Sequence, residues 1–495
     1  MQKLGKLVLL LAISMTSACA DDDGGNEGEG EGEGEGEAVC GVDSDGACPG
    51  RRVCVDGGCI IPIVDTTPVA DDVDVTWDAL WADVTRNYAL FAVEPFAAWD
   101  ELYLPMIDVL QAAPSQTHAD HEMAKALQRL NDGHVGAFFL STLCDIDRLG
   151  SAFGALGPAG SVSTLGACAV PAGDGVIVTT VDERNPDRTK LEVGDEIVAV
   201  DGRDLEQVIG DLAAQPKCFF RASNEAHRRA QLLSLALLRD SGDQTLTVRR
   251  DGVLVDVDIA VEEPVACSRP YPAMLDASLQ DHGRGIVSGP APRGAWYMSF
   301  DAFGDDNSVE GVRSFNALLE AAVVPANEHS ALIIDLRGNS GGDPRVLGAL
   351  MSWLVTSTST YLNEAQKEGR EPGVVGDSSP LQVSPDADFH VDVPVAVLVD
   401  PLGLSAVDFM AEAVAVSGAA ILVGAPAAGA FGGAQQGQLG DVITIVNPLL
   451  ITDVDGVVRE GVPTPVNIAA VLDAADVKAG VDTVVEAALD ALAIP

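Results

Sequence analysis

Apolar positions along the chain follow three successive patterns. From Trp77 the set Trp77, Leu80, Trp81, Val84 and Tyr88 lies on one helical face, and Trp99, Leu102, Tyr103, Met106 and Leu110 repeat the spacing. A third helix is predicted from Thr117, capped by its hydroxyl with Asp120 three residues on, through Met123, Leu127 and Leu130. The helix-stopping run Asn131-Asp132-Gly133 leaves His134 just beyond its end. The bland reading of the aromatic residues, core packing, is the one adopted. Between about 150 and 263 the period falls to two, and strands are predicted over 176–181, 196–200 and 246–250 and along Val253, Val255, Val257, Ile259 and Val261. Asp251-Gly252 reads as a hairpin turn.

After about 290 the segments alternate: strands over 295–300, 331–336, 395–399 and 420–423, helices over 309–322, 344–354 and 406–416, and a last amphipathic helix over 481–492. Such βα alternation predicts an α/β domain. Length agrees, since 495 residues amount to about three domains.

The N-terminus is organised differently. Lys3 and Lys6 precede an apolar run over 7–13, and Thr16-Ser17-Ala18 leads into Cys19, so 1–18 reads as a secretory signal peptide. The run is too short to remain as a membrane span. It resembles a bacterial lipoprotein signal, which implies cleavage before Cys19 and lipid attachment to it, although Thr16 stands where Leu is more usual. The expected location is a lipid-anchored position in the bacterial cell envelope. Residues 20–39 carry nine acids and no bases, and 19–39 is an acidic Gly/Glu linker that cannot bury a core. Cys40, Cys48, Cys54 and Cys59 follow in a cysteine-rich segment, 40–65. In an exported chain they suggest two disulfides, with a zinc site as the rival reading. Cys144, Cys168, Cys218 and Cys267 allow two more bridges in three pairings.

Charge narrows the partners. With 29 Lys+Arg against 75 Asp+Glu the chain carries −46, a field that repels phosphate backbones and anionic headgroups. Nucleic acid is excluded as a partner, and the membrane is reached through the lipid anchor only.

Two loops stand at the carboxyl ends of predicted strands, where open α/β sheets place their sites. In Asp335-Leu336-Arg337-Gly338-Asn339-Ser340-Gly341-Gly342 the glycines let the backbone turn sharply and expose N–H groups to an anion. In Asp400-Pro401-Leu402-Gly403-Leu404-Ser405-Ala406, Ser405 opens a helix, and by itself such a hydroxyl is more often a cap than a nucleophile. The Ala406 N–H and the helix dipole would stabilise negative charge beside it.

The stretch Leu191 to Gly202, with Gly194-Asp195 and Asp201-Gly202, resembles the signature of PDZ domains. That resemblance implies capture of an extended peptide by strand addition, or a spacer with the same fold. Together with both loops, Ser405-Ala406-Val407-Asp408 and Leu130-Asn131-Asp132-Gly133-His134, the chain resembles the C-terminal processing and tricorn-core serine peptidases over about 76–490. The resemblance implies a multidomain α/β protein: a helical subdomain over 76–149, a PDZ-like domain over 150–263 and a ClpP/crotonase-like catalytic domain over 264–495. It makes Ser405 the nucleophile, with Ala406 and Gly341 or Gly342 as the oxyanion hole.

The processing branch activates its Ser with a Lys, whose place falls at Ala430, and the only Lys after Ser405 is Lys478. The tricorn-like branch uses a His at the place of His134, and imidazole can accept the Ser proton near neutral pH. A Ser precedes that His in the tricorn proteins, whereas Gly133 stands here. A late Glu orients the family's network, and Glu460 resembles its setting; Asp335 and Asp408 are expected to hold loops. The expected activity is that of an exported serine endopeptidase acting on polypeptides without metal or organic cofactor. The rival is a catalytically inactive peptidase fold that binds peptides as an envelope scaffold.

Overall fold

The structure, a computed structural model, describes residues 53–55, 58–60, 73–139, 162–163, 167–181, 190–214, 221–237, 243–260, 265–266, 279–304, 306–440 and 442–494. The signal peptide, Cys19, the acidic linker, most of the cysteine-rich segment and Cys144, Cys218 and Cys267 lie outside these residues. Within the cysteine-rich segment, Val53–Val55 and Gly58–Ile60 pair antiparallel with Cys54 opposite Cys59. Cys168 is disulfide-bonded.

The first helix spans Val73–Asn87 and buries Trp77, Leu80, Trp81 and Val84 as one stripe. The second predicted helix is two, Phe96–Asp100 and Tyr103–Gln111. Pro105 explains the break, because it has no N–H to donate and its ring clashes with the carbonyl four residues earlier. The third spans Gln116–Gln128 and is capped by Ser115, which accepts the His118 N–H at 3.2 Å, rather than by Thr117. Asp120 instead accepts the Gln116 side-chain amide at 2.7 Å. A strand not expected from the sequence, Gly136–Phe139, then pairs antiparallel with Val442–Val446. This pairing fastens the N-terminal helices to the C-terminal domain and fixes where His134 emerges.

The middle region is an antiparallel sheet in the order Val253–Ala260, Asp243–Arg250, Glu196–Val200, Gly175–Val181, Ala167–Ala172, with Arg203–Asp204 beside Glu196–Val200. The turn at Asp251 (φ 51°) and Gly252 (φ 79°) has two positive φ values in succession, the geometry that follows the strand twist in a tight hairpin. The helices Leu205–Ala214 and Glu225–Ala236 pack on this sheet around Val176, Ile197, Leu232 and Leu246.

The C-terminal domain is a seven-stranded sheet in the order Gln280–Gly283, Ile286–Pro290, Trp296–Ser299, Leu332–Asp335, Val395–Val399, Ile421–Gly424, Ile468–Ala469, parallel from Trp296–Ser299 onward. The helices Val309–Val323, Pro344–Leu354 and Ala406–Ser417 cover one face and Thr483–Ala491 the other. Leu332–Asp335 and Val395–Val399 are buried throughout, as central strands covered on both faces require. Among the described residues no helix is long and apolar enough to cross a membrane.

Candidate active site

Leu332–Asp335 and Val395–Val399 run side by side in register, so the loops that follow them leave the same edge of the sheet. Their polar groups are tied together. The Asp400 carboxylate accepts the Gly338 N–H at 2.7 Å and the Gly403 N–H at 3.0 Å, and the Asn339 carbonyl accepts the Leu404 N–H at 3.1 Å. Beneath them Arg337 is buried between two carboxylates, donating to Asp335 Oδ2 at 2.6 Å and to Asp482 Oδ2 at 2.7 Å. These carboxylates hold its guanidinium well above the usual range despite the cost of burial.

Ser405 stands at the start of helix Ala406–Ser417 with φ 59° and ψ −115°, a conformation that costs a non-glycine residue on the order of 1–3 kcal/mol. Its hydroxyl does not cap the helix. Gly341 presses against it: a Cβ there would lie 2.6 Å from the Ser405 Cβ and 3.0 Å from the Ala406 nitrogen. With φ 80° as well, position 341 admits only glycine. The Gly341 N–H, however, is donated to the Asn339 side-chain oxygen at 2.8 Å, so it is spent on the loop itself. Of the two glycines expected to serve an oxyanion hole, Gly341 thus has its N–H engaged within the loop. Gly342 is held by its neighbours' bonds, Phe303 N–H to the Gly341 carbonyl and Asp343 N–H to the Phe303 carbonyl, both 2.7 Å, and its own N–H has no acceptor among the described residues. The Ala406 N–H, first in its helix, has no acceptor within the helix.

Asp408 is fully buried and accepts N–H groups from Gly429 at 2.7 Å, from Ala430 at 3.1 Å and from Ser405. Burial nevertheless pushes its carboxyl up to about 7. It holds the Ser405 loop to residues 429–430, the segment where the resemblance would place a lysine. Ala430 offers no amine there, and the Lys478 amine is bound to the Asp251 carboxylate at 2.5 Å and 2.6 Å.

His134 comes from the far side of that segment. It is 4% exposed, and its backbone N–H donates to Asp132 Oδ1 at 2.6 Å. Asp132 Oδ2 accepts from the Asn447 amide at 2.9 Å, and Asn447 immediately follows the strand that pairs with Gly136–Phe139. One atom each of Asp132, His134 and Glu460 lie within 4.8 Å of one another. His134 Nδ1 is 4.0 Å from Asp132 Oδ1 and, like Glu460 Oε2, is buried without a hydrogen-bond partner. Burial first, then the charges of Arg221 and His227, lower the His134 imidazole to about 3, so it is neutral at physiological pH. Burial raises Asp132 to about 6 and, with the Asp132 and Asp408 charges, raises Glu460 well above the carboxylate range.

The structure thus brings His134 and Glu460 together, and Ser405 close to Gly341 and Ala406. The two groups meet through residues 429–430: a Cβ on Gly133 would lie 3.0 Å from the Ala430 Cβ, while the Ala430 N–H is held by Asp408. Among the described residues no hydrogen bond links the Ser405 hydroxyl to His134. Sequence reasoning missed Asp132, Asn447 and Ser223 as members of this neighbourhood. Asp132 looks like part of a helix stop, Asn447 like a turn residue before Pro448, and Ser223 like a neighbour of the Asn224 cap.

Residues 295–452, which hold the Gly-rich loop and Ser405, match peptidase family S41. The chain thus carries a peptidase family S41 domain. It is a serine-type peptidase, and its substrates are polypeptides. The fold is similar to that of mature CPAF complexed with lactacystin, with TM-score 0.58 and 15% identity over 86% of this chain and 97% of that one. A serine-to-alanine mutant of CPAF gives TM-score 0.60 and 15% identity over 83% of this chain and 95% of that one. A protein of Parabacteroides merdae gives TM-score 0.50 and 14% identity over 85% of this chain and 97% of that one. No curated protein matches the sequence.

Proposed function

We propose that this S41 peptidase is an exported, lipid-anchored endopeptidase of the bacterial cell envelope that works through Ser405 and His134 with no lysine base. The observation that carries this reading is the backbone of Ser405, strained at φ 59° and ψ −115° with its hydroxyl uncommitted at a helix N-terminus. Its Oγ attacks the peptide carbonyl while its proton passes to His134 Nε2. The Ala406 and Gly342 N–H groups receive the developing oxyanion. The imidazolium returns the proton to the leaving amine as the C–N bond breaks, and water then hydrolyses the ester on Ser405. The Asp132 carboxylate, 4.0 Å from Nδ1, favours the imidazolium that forms in between.

The PDZ-like middle region would add the substrate tail as a further strand. Export is supported by the Cys168 disulfide, since such bonds persist in oxidising compartments. Ser405→Ala is expected to reduce hydrolysis of an unstructured polypeptide by about 10³-fold or more and to abolish labelling by a serine-directed fluorophosphonate. Undiminished turnover in Ser405→Ala would refute the assignment. A wild-type protein that binds peptide but neither turns it over nor takes the probe would favour the scaffold. Fatty-acid labelling lost in Cys19→Ser tests the anchor.

A further inference from the structure

We propose that Ser223, contributed by the middle domain, is the positioning residue that supplies the hydroxyl absent at Gly133 and so completes the His134–Glu460 arrangement. The inference rests on the Ser405–His134–Glu460 reading and goes beyond it by making the middle domain part of the active site.

Three observations carry it. Ser223 is 5% exposed, and its Oγ accepts the Gly133 N–H at 2.9 Å. Glu460 Oε1 receives the same Gly133 N–H at 3.3 Å, which brings the Ser223 hydroxyl and the Glu460 carboxylate onto one donor, and the hydroxyl lowers that carboxyl. Finally, a Cβ built on Gly133 would lie 2.8 Å from Ser223 Oγ. The Ser223 oxygen therefore fills the space that a side chain on the residue before His134 would occupy. Gly133 does not have the positive φ that would require glycine. The constraint is space, and Ser223 and Ala430 take it.

The position of Ser223 is fixed from its own side. Asn224 caps helix Glu225–Ala236 by accepting the His227 N–H at 2.9 Å, and its amide donates to the Ala428 carbonyl at 2.5 Å. The middle domain is thereby tied to the segment whose next residues are held by Asp408. A shift of that helix, as on capture of a substrate tail, would move Ser223 relative to Glu460 and His134.

The groups facing Glu460 are Asp132, Asp408 and Tyr88, with His134 beside them and Arg221 and His227 behind. Asp132 and Asp408 raise the Glu460 carboxyl, and the Ser223 hydroxyl is the foremost group lowering it. Loss of that hydroxyl should move the acid limb of the pH–rate profile to higher pH.

The test compares kcat, KM and the pH profile of the full chain for Ser223→Ala, Ser223→Thr, Gly133→Ser and the double variant Ser223→Gly/Gly133→Ser, with Ser405→Ala as control. Ser223→Ala is expected to lower kcat about 10- to 100-fold with little change in KM and to shift the acid limb upward. Ser223→Thr keeps the hydroxyl and should recover most of the rate. Gly133→Ser alone should be impaired by the clash, and the double variant, which moves the hydroxyl to position 133, should be at least about 10-fold faster than Ser223→Ala. A Ser223→Ala enzyme with wild-type kcat and pH profile overturns the proposal. So does a loss uniform in pH that tracks a lower melting temperature and is not relieved in the double variant. If Ser405→Ala stays active, the catalytic reading fails first and this one with it; if Ser405→Ala is dead and Ser223→Ala unaffected, only this one fails.

Discussion

The Ser405 side and the His134 side of the candidate site are built in opposite ways. Ser405, Ala406, Gly341 and Gly342 sit on two loops that follow neighbouring parallel strands, and each loop is the local product of one strand-to-helix turn. Their bonds to one another run through short, nearby groups: Asp400, Asn339 and the Arg337 cluster. His134, Glu460 and Ser223 instead come from three parts of the chain and are brought together by the pairing of Gly136–Phe139 with Val442–Val446, the Asn447–Asp132 bond and the packing of residues 428–430. The first half is rigid because it is local and covered on both sides. The second half depends on contacts between distant parts of the chain.

The sharpest contrast is expected in stability. Arg337→Ala leaves Asp335 and Asp482 buried without their counterion, and breaking a buried pair in this way costs about 3–5 kcal/mol. Asn447→Ala, the matching variant on the His134 side, removes one amide from Asp132 and is expected to cost about 1–3 kcal/mol. Urea unfolding of the two proteins checks the order. If Asn447→Ala proved the more destabilising, the His134 side would be the more rigid half and the contrast would be lost.

The same contrast decides what the sequence could tell. The strand at 395–399, the helix at 344–354 and the turn at Asp251-Gly252 follow from apolar runs, a proline in the first helical turn and a dipeptide that tolerates positive φ. Ser405 and its glycine loop stand out in the sequence for that reason, because residues at the carboxyl end of a strand announce themselves locally. Glu460 was weakly marked, as an isolated carboxylate in a turn. Asp132 was marked only as part of the motif that ends in His134, and Ser223 had no mark of its own, since a Ser beside a cap is ordinary until packing against Gly133, ninety residues earlier, gives it a partner. Gly341 shows the converse limit: the sequence marks it as special, but only geometry reveals that its role is close approach to Ser405 and that its N–H is taken by Asn339.

Gly341→Ala is therefore expected to act on catalysis more than on binding. Its Cβ would fall 2.6 Å from the Ser405 Cβ and 2.7 Å from the Leu404 carbonyl, both parts of a tight loop rather than the end of a flexible side chain. Displacing the nucleophile by a fraction of an ångström should lower kcat about 10- to 100-fold. Ser340→Ala, next to it but exposed, should leave kcat within about 2-fold. Equal effects from the two variants would mean that the loop adapts, and that the Ser405 side is less rigid than its hydrogen bonds imply.

The smallest effect separates the halves by pH. The folded state lowers His134 to about 3 from an ordinary value of 6.5, so the unfolded chain binds its proton first and His134 withdraws stability as pH falls below 6.5. Asp132 acts in the opposite sense: raised to about 6 in the folded state, it takes up its proton there before the unfolded chain does and adds stability as pH falls through 6. The two nearly cancel between pH 6.5 and 4 in the wild type. In His134→Gln the opposing contribution is gone, so the variant should gain stability relative to wild type on acidification, by up to about 1.4 kcal/mol per pH unit. His227, lowered to about 4, is present in both proteins and drops out of the difference. Urea midpoints of the two proteins from pH 7 to 4.5 measure it. Parallel curves would mean that His134 titrates in the folded protein as it does in water, and that the His134 side of the site is open to solvent rather than sealed by the domains that assemble it.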